Sequence, residues 1–344
     1  MKLFIFLVGT VFIQCLSYKE FYIPLESDPL TRFNAPNEYL ATSTLEFINA
    51  LLKLVSDSVM TQLTQIYHDV VIKNNVEFAM ELKGISQFFN ITERDLFVYL
   101  FMYELFAHCT SIIAALPNGE VIHGRNLDYD FVKLLNDTSY IGIFTSDGKE
   151  VFRCVMFGGF LGSHTCMKSG KFAISLNQRM STLGEGIEKN LQALREGSAL
   201  VVWTIRQVTH KANSYEEAIS ILENIPLVAP AYFIVSGAGE NKGAVITRER
   251  NSTLDTWRIS KDKWFLVQVN TDRWEKIPPH KIDRRKPAIE RIKAIGKDNM
   301  TMEKMMNEVL LMKPNNCEIT IFSSVMNPTN GSFIIEVKKA DGDN

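Results

Sequence analysis

A cysteine is followed closely in the sequence by an arginine and an aspartate whose side chains could activate its thiol. Cys109 is followed by Arg125 sixteen positions later and by Asp128 nineteen positions later. A neighbouring cation lowers the pKa of a thiol, and a carboxylate can orient an amine, so these groups could form a nucleophilic site. Burial as a small hydrophobic residue is the commonest fate of an unpaired cysteine, and it is the alternative for Cys109 taken alone.

A predicted β-hairpin would bring these residues together. Helical character ends abruptly at Cys109, and strand-forming residues follow at residues 110–114 and 121–124. The Pro-Asn-Gly sequence at residues 117–119 predicts a turn between these two runs, so the second strand would fold back along the first. We therefore expect the arginine and the aspartate to return beside the cysteine.

The rest of the chain alternates runs of strands with runs of helices, which predicts a layered α+β fold rather than a parallel doubly wound sheet. After an irregular segment at residues 18–37, a capping box of Ser43 and Glu46 predicts a long amphipathic helix that reaches Val59. A helix at residues 92–106 is apolar nearly all round, which predicts burial. Further strands are predicted at residues 140–144, 151–157, 172–176, 231–235, 244–247, 265–269, 319–323 and 332–337. Further helices are predicted at residues 187–207, 215–222 and 302–311.

Residues 1–17 have the features of a secretory signal peptide. A basic residue precedes an apolar run that continues to Ile13, and small residues stand at Cys15 and Ser17, before the expected cleavage site. The apolar run is too short to span a bilayer, and no later stretch reaches about eighteen apolar residues. We therefore expect a soluble mature protein in a lumenal or extracellular compartment.

Five Asn-x-Ser/Thr sequons agree with that compartment and are the glycosylation sites that we expect. Asn327 is excluded because proline follows it. The sequons begin at Asn90, Asn136, Asn251, Asn299 and Asn330.

Other classes of site have little support in the sequence. Once the signal peptide is removed, four cysteines remain, which is too few for a disulfide scaffold, and pairing of Cys154 with Cys166 stays open. No Cys-x-x-Cys, His-Glu-x-x-His or P-loop motif occurs, so we expect neither a metal nor a cofactor. The glycines at residues 237–243 separate two strand-like runs, which favours a hairpin loop over a dinucleotide-binding turn. The net charge of −2 and the lack of a basic stripe argue against nucleic acid as a partner.

The residues around Cys109 resemble those of the acid ceramidase family and of its relatives, the N-acylethanolamine acid amidases. Both groups are N-terminal-nucleophile amidases, as are bile-salt hydrolase and penicillin V acylase. The resemblance covers nearly all of the mature chain and continues in the same order through residues 229–234, 245–248, 267–274 and 283–288. It implies an αββα sandwich, in which two antiparallel sheets lie between helical layers.

The resemblance also implies that two chains arise from one precursor. The precursor would cut its own His108–Cys109 peptide bond. Residues 18–108 would become a helical α subunit, and residues 109–344 would become a β subunit with the catalytic core. The two would remain associated as a heterodimer.

The family pattern implies a role for each site residue. Cys109 would attack the amide carbonyl and form a thioester, while its own freed α-amine acts as the general base. Asp128 would hold this amine, and Arg125 would orient the nucleophile and balance its charge. Asn270 matches the asparagine whose side-chain N–H contributes to the oxyanion hole, and Arg284 matches an arginine near the same site. An α-amine has a pKa of about 8, and burial beside a cation lowers it further, which suits an acid compartment.

The sequence departs from the family pattern at two places. The family has Asn-Glu-Arg where this chain has Asn-Gln-Arg, so Gln178 replaces a carboxylate expected near the site. This loss could slow self-cleavage. Ceramidases join their two chains through a disulfide, but residues 18–108 contain no cysteine, so that bridge cannot form here.

Three functions are compatible with this sequence. Hydrolysis of ceramide is favoured by the strings at residues 229–234 and 103–106, and hydrolysis of N-acylethanolamines would use the same residues. A catalytically inactive lipid-binding relative is the third, for which Gln178 is the only indication. The resemblance implies an N-acyl lipid substrate, delivered from a membrane surface or by a lipid-presenting activator, and a lysosomal or secreted protein.

Overall fold

The computed structural model of the chain describes residues 18–68, 76–102, 108–179, 183–279 and 281–337. The predicted signal peptide lies outside these ranges, and so do residues 103–106 of the predicted apolar helix. Within the described ranges, no helix has both the length and the apolar character needed to cross a membrane.

Two sheets form the centre of the molecule. The strands of the described residues are β1 (Glu20–Pro24), β2 (His108–Ala115), β3 (Val121–Asp128), β4 (Ser139–Ser146), β5 (Lys149–Phe157), β6 (Thr165–Lys168), β7 (Phe172–Gln178), β8 (Ala231–Gly237), β9 (Gly243–Arg248), β10 (Thr253–Arg258), β11 (Phe265–Gln268), β12 (Thr320–Asn327) and β13 (Ser332–Val337). The larger sheet has the order β1-β4-β5-β6-β7-β8-β9-β10, and the smaller has the order β11-β2-β3-β12-β13. All neighbours are antiparallel except β1 and β4. The predicted strands are all present, and β1, β6 and β10 are additional.

Helices cover the outer faces of both sheets. The described helices are α1 (Asn34–Tyr39), α2 (Ala41–Leu52), α3 (Asp57–Ile66), α4 (Val76–Phe89), α5 (Glu93–Met102), α6 (Val132–Thr138), α7 (Leu183–Arg195), α8 (Val201–Lys211), α9 (Tyr215–Asn224), α10 (Arg285–Ile295) and α11 (Met302–Lys304), which continues as a π-helix at Met305–Leu310. Helices α8 and α9 pack on the larger sheet, and α10 with the π-helix packs on the smaller. Strands β2 and β3 contact β7 and β8 of the other sheet. The prediction of an α+β fold with two mainly antiparallel sheets between helical layers is confirmed.

Strands β2 and β3 form the predicted hairpin. Cys109 pairs with Leu127, and Ser111 pairs with Arg125. Successive side chains on a strand point to opposite faces of the sheet. The odd-numbered side chains of both strands therefore lie between the two sheets, and the even-numbered ones face α10 and the π-helix. The apolar clusters agree, because Ile113 packs with residues of the larger sheet and Ile112 packs with residues of α10 and the π-helix.

The N-terminal segment is more ordered than the sequence analysis predicts. Residues 18–37 are predicted to be irregular, but β1 pairs in parallel with β4, with Glu20 opposite Ile141. Tyr22 in this strand is exposed, whereas Ile23 is fully buried. The strand forms because its backbone completes the edge of the larger sheet, a tertiary interaction that its own composition does not reveal.

The prediction of one long helix is wrong in both the start and the length of the helix. Helix α2 begins at Ala41, directly after Leu40, and no side chain caps it, so Ser43 lies inside the helix. The helix ends at Leu52, and α3 starts after Ser56, whose hydroxyl accepts a hydrogen bond from the Val59 N–H. Ser56 is therefore the residue that caps a helix in this segment.

The single helix predicted for residues 187–207 is two helices, α7 and α8. The break follows Arg195, and Gly197 has a φ of 83°. This left-handed conformation is easily reached by glycine and commonly ends a helix. The apolar helix predicted at residues 92–106 is confirmed for its described part, because every side chain from Leu96 to Phe101 is buried.

Two of the four described cysteines form a disulfide. Cys154 and Cys166 face each other on β5 and β6 and form a disulfide. Cys109 and Cys317 form no disulfide within the described part of the chain. The disulfide joins two strands of the larger sheet, so it does not connect residues 18–102 to the rest of the chain.

The sequon asparagines differ in exposure. Asn136 is half-buried, and its Oδ1 accepts a hydrogen bond from the Tyr18 hydroxyl over 3.0 Å. Glycosylation at all five positions stays a prediction. The exposed sequon asparagines are Asn90, Asn251, Asn299 and Asn330.

A buried ion-pair cluster connects the N-terminal helices to the body that follows Cys109. Glu81 of α4 is fully buried and accepts hydrogen bonds of 2.8 and 2.6 Å from the Arg206 guanidinium of α8. Arg32 also donates to Glu81 over 2.6 Å, and it contacts the more exposed Glu77. One buried carboxylate therefore compensates two buried cations that come from different parts of the chain.

We predict that Glu81→Gln destabilises the protein strongly. The substitution removes the negative charge between Arg32 and Arg206, and breaking a buried pair costs about 3–5 kcal/mol. Glu77→Gln is the matched control, because Glu77 contacts the same arginine from a side chain that is 38% exposed and should cost about 1 kcal/mol or less. Urea unfolding measures both values, and equal losses for the two variants would contradict the importance of the buried carboxylate.

Candidate active site

Cys109 lies near the start of β2, and Arg125 reaches it from β3. Both side chains are fully buried between the sheets, and Arg125 Nη2 lies 3.2 Å from Cys109 Sγ. Burial raises the pKa of the Cys109 thiol, although the positive charge of Arg125 opposes this shift. In the continuous chain the thiol is therefore protonated and shielded from solvent.

Asn270, just after β11, connects the backbone of Cys109 to Arg284. Its Oδ1 accepts a hydrogen bond from the Cys109 N–H over 2.6 Å and another from Arg284 Nη2 over 3.0 Å. Its Nδ2 donates to the Gln178 carbonyl oxygen over 2.9 Å. The Asn270 side-chain oxygen thus accepts from the nitrogen of Cys109, while its N–H donates to the end of β7.

Asp128 lies at the end of β3, on the opposite face of the sheet from Arg125. Its Oδ2 pairs with Arg284 Nη1, and its Oδ1 accepts a hydrogen bond from the Thr320 hydroxyl over 2.7 Å. Burial raises the pKa of the Asp128 carboxyl, and the positive charge of Arg284 opposes this shift. The Asp128 side chain contacts Arg284 directly, and Arg284 and Asn270 connect it to the backbone nitrogen of Cys109.

A second network fixes the loop that carries Asn270. Arg179, the residue after Gln178, donates two hydrogen bonds of 2.8 and 2.7 Å to Asp272. The Tyr232 hydroxyl donates to the same carboxylate over 2.5 Å. Asp272 is two residues after Asn270, so these bonds restrain the Asn270 backbone. Gln178 itself meets the site through its backbone carbonyl.

Three polar residues of the site are missing from the sequence-based set. Asn177 Oδ1 accepts hydrogen bonds from Ser111 over 2.7 Å and from Arg125 over 2.8 Å. Thr320 holds Asp128, as described above. Ser111 could have been found, because it is two residues after Cys109 and therefore lies on the same strand face.

A cavity of about 230 Å³ opens beside these groups. His108 forms part of its wall, and burial lowers the pKa of this imidazole, with the charge of Arg284 acting in the same direction. A cavity lined by both polar and apolar side chains fits a ligand that combines a polar group with a hydrocarbon chain. The polar lining residues are His108, Asp128, Asn270, Thr271, Lys281 and Arg284, the apolar ones are Val269, Ile277, Ile282 and Ile319, and Cys317 also lines the cavity.

The five residues predicted to be catalytic thus lie in one group. The thiol of Cys109 contacts Arg125, and its backbone nitrogen leads through Asn270 and Arg284 to Asp128. A nucleophile, two cations, an amide and a carboxylate can support acyl transfer from an amide.

Comparison with known proteins identifies the family of this chain. The family of linear amide C–N hydrolases called the choloylglycine hydrolase family matches residues 109–302. N-acylethanolamine-hydrolyzing acid amidase of Cavia porcellus is 34% identical over 251 residues, which are 72% of this chain and 70% of that protein. Acid ceramidase of Homo sapiens is 35% identical over 274 residues, which are 74% of this chain and 68% of that protein.

A solved structure agrees with these sequence matches. The Caenorhabditis elegans ortholog of N-acylethanolamine-hydrolyzing acid amidase is 34% identical and superposes with a TM-score of 0.59, over 64% of this chain and 93% of that one. The resemblance that the residues around Cys109 suggest is confirmed. With its family match beginning at the candidate nucleophile itself, this chain belongs to the choloylglycine hydrolase family of linear amide C–N hydrolases.

Proposed function

We propose that this protein hydrolyses the amide bond of N-acyl lipids with Cys109 as an N-terminal nucleophile. The observation that carries the proposal is the continuous set of contacts from the Cys109 thiol and nitrogen to Arg125, Asn270, Arg284 and Asp128. The names of the relatives point to ceramide or N-acylethanolamines as substrates. Ceramide is the substrate we propose, with sphingosine and a fatty acid as products, and N-acylethanolamine is the alternative.

The proposed nucleophile is made by self-cleavage. The Cys109 thiol adds to the carbonyl carbon of His108, and the C–N bond breaks as the amide nitrogen takes up a proton. Water then hydrolyses the resulting thioester, which leaves a carboxylate on His108 and restores the thiol on Cys109. The hydrogen bond from the Cys109 nitrogen to Asn270 supports this step, because it already holds the atom that becomes the amine.

Turnover of the lipid would follow the same chemistry. The free amine takes the thiol proton, the sulfur attacks the lipid carbonyl, and the proton passes to the leaving nitrogen. The acyl thioester is then hydrolysed to the fatty acid. Arg125 balances charge on the sulfur, while Asp128 orients Asn270 and the amine through Arg284. The apolar cavity wall would hold the acyl chain.

The proposal includes an acid compartment and a lipid surface. We propose a lysosomal or secreted glycoprotein, on the basis of the N-terminal apolar segment and the five sequons. Its lipid substrate would come from a membrane or from a lipid-presenting activator. The two chains would form a heterodimer without an interchain disulfide.

A paired substrate assay tests the proposed function. The purified cleaved protein is incubated at pH 4–7 with ceramide and N-acylethanolamine that carry the same acyl chain, in identical mixed micelles. Release of fatty acid from ceramide is expected to be faster. Faster release from the ethanolamide would support the alternative substrate, and release from neither would overturn the proposed function and favour an inactive lipid-binding relative.

We predict that self-cleavage depends on Cys109. Acidification of the purified precursor should produce a fragment whose N-terminal residue is Cys109, and Cys109→Ala should abolish both this fragment and hydrolysis. The alanine variant should remain folded in thermal unfolding, with a slightly lower unfolding temperature because one fully buried sulfur is lost. An uncut chain with full activity would contradict the mechanism.

We also predict that the two fragments are held together without a covalent bond. Residues 18–108 contain no cysteine, whereas β1 pairs with β4 and Glu81 pairs with Arg206 across the cut. The fragments should separate on a denaturing gel without reductant but co-elute in native gel filtration. A link that only a reductant breaks would be inconsistent with this assembly.

The replacement at position 178 gives a pH prediction. A carboxylate near the site favours the protonated amine and so raises its pKa, and activity requires the amine to be unprotonated. Gln178→Glu should therefore move the acid limb of hydrolysis to higher pH, or accelerate self-cleavage. Gln87→Glu is the matched control, because it adds the same charge on the exposed surface of α4. If the pH profile of hydrolysis and the rate of self-cleavage are the same in both variants and the wild type, position 178 lies outside the active site.

A further inference from the structure

A line of buried polar groups crosses the space between the two sheets and ends at Cys109. His123 and Ser111 belong to the smaller sheet, Ser175 and Ser236 belong to the larger, and all four side chains are fully buried. His123 Nδ1 lies 3.2 Å from Ser236 Oγ, and His123 Nε2 lies 2.7 Å from Ser175 Oγ. The hydroxyl oxygens of Ser175 and Ser111 are 2.9 Å apart. Polar groups in such a dry location need defined partners.

The direction of each hydrogen bond follows from the acceptor at the end of the line. Asn177 Oδ1 accepts from the Ser111 hydroxyl over 2.7 Å and from Arg125 Nη1 over 2.8 Å. Because Ser111 has one proton and donates it to Asn177, Ser175 donates to Ser111. Ser175 then has no proton left for His123, so His123 Nε2 carries the proton and donates to Ser175.

Arg125 depends on these neutral groups for its orientation. It forms no ion pair with a carboxylate of the described residues, and Asp128 pairs elsewhere. Its buried Nε also lacks a hydrogen-bond partner in the described part of the chain. Nη1 is held by Asn177 and, over 3.3 Å, by Ser111, which leaves Nη2 facing the Cys109 sulfur. The two acceptors at Nη1 therefore determine where the second nitrogen points.

We propose that His123 is a positioning residue, which fixes the Arg125 guanidinium against the Cys109 sulfur through two serine hydroxyls. This role rests on the nucleophile proposed above. Burial, with the charge of Arg125 acting in the same direction, lowers the pKa of His123 to about 3. The imidazole is thus neutral at the acid pH of the proposed reaction and adds no second charge beside the guanidinium. Neutral His123 donates from Nε2 throughout that range.

Two substitutions at position 123 separate the two ring nitrogens. His123→Gln places an amide N–H near the Nε2 position and should keep the bond to Ser175, whereas His123→Asn places its amide near Nδ1 and should lose it. We expect His123→Asn to lower kcat about tenfold with KM unchanged, and His123→Gln to stay within about twofold. Ser175→Ala should behave like the asparagine variant, and Ser175→Thr, which keeps the hydroxyl, should behave like the glutamine variant.

Alkylation of Cys109 by iodoacetamide gives a measurement that needs no lipid hydrolysis. A displaced guanidinium stabilises the thiolate less, so the pH profile of alkylation should move to higher pH in His123→Asn and Ser175→Ala. Thermal unfolding shows which variants are folded.

Folded His123→Asn and Ser175→Ala proteins that match the wild type in kcat and in alkylation would overturn the proposal. Equal losses in His123→Gln and His123→Asn would also overturn it, because a donor at Nε2 would then be irrelevant. A wild-type protein that hydrolyses no lipid amide counts against the proposed function instead, and the alkylation profiles then decide the role of His123 on their own.

Discussion

The register between β2 and β3 is the constraint on which the site depends. Pairing Ser111 with Arg125 makes the guanidinium a diagonal neighbour of Cys109 on the inner face of the smaller sheet. A slip of one residue would turn every side chain of a strand to the opposite face, and the thiol would lose its cation. Two apolar clusters oppose such a slip. Ile113 packs between the sheets, while Ile112 packs beneath α10 and the π-helix, so each face of β2 is fixed by its own burial.

The same alternation separates the charges of the site into two groups. Arg125 lies between the sheets with neutral partners and the thiol, and Arg284 lies at the helical side with Asp128. Asn270 connects the groups at the end of the sheet, since its oxygen meets both Arg284 and the Cys109 nitrogen. A carboxylate placed beside Arg125 would instead neutralise the cation that faces the sulfur. The separation therefore leaves one cation available to the nucleophile and uses the other to orient the amide.

Much of this arrangement could be predicted from the sequence. The parts that could not be predicted depend on contacts between distant segments of the chain. The hairpin follows from local strand and turn residues. Arg125 and Asp128 are three residues apart on one strand, so their side chains lie on opposite faces. This spacing explains why the Asp128 carboxylate does not contact Arg125. Asn270 and Arg284 could be found only by family resemblance, because their positions depend on long-range packing of β11 and α10. The sequence does not predict strand β1 for the same reason, because this segment becomes a strand only through its pairing with β4. Asn177 is the first residue of the Asn-Gln-Arg string that matches the family pattern, and only that resemblance could point to it, because an asparagine at a strand end carries no signal of its own.

The position of the proposed cut explains how the fold could survive it. The His108–Cys109 bond lies at the first step of β2, so cutting it separates only the His108–Asp128 pair from the β2–β3 ladder. The pairs that follow, the bond from the Cys109 nitrogen to Asn270, and the contact between the thiol and Arg125 all lie on the C-terminal side of the cut. His108, which forms part of the cavity wall, is the residue that would be released. The contacts that orient the nucleophile come from β3, β7 and the segment after β11 rather than from the N-terminal chain. Cleavage at this bond would therefore expose the nucleophile to the cavity and leave these contacts in place.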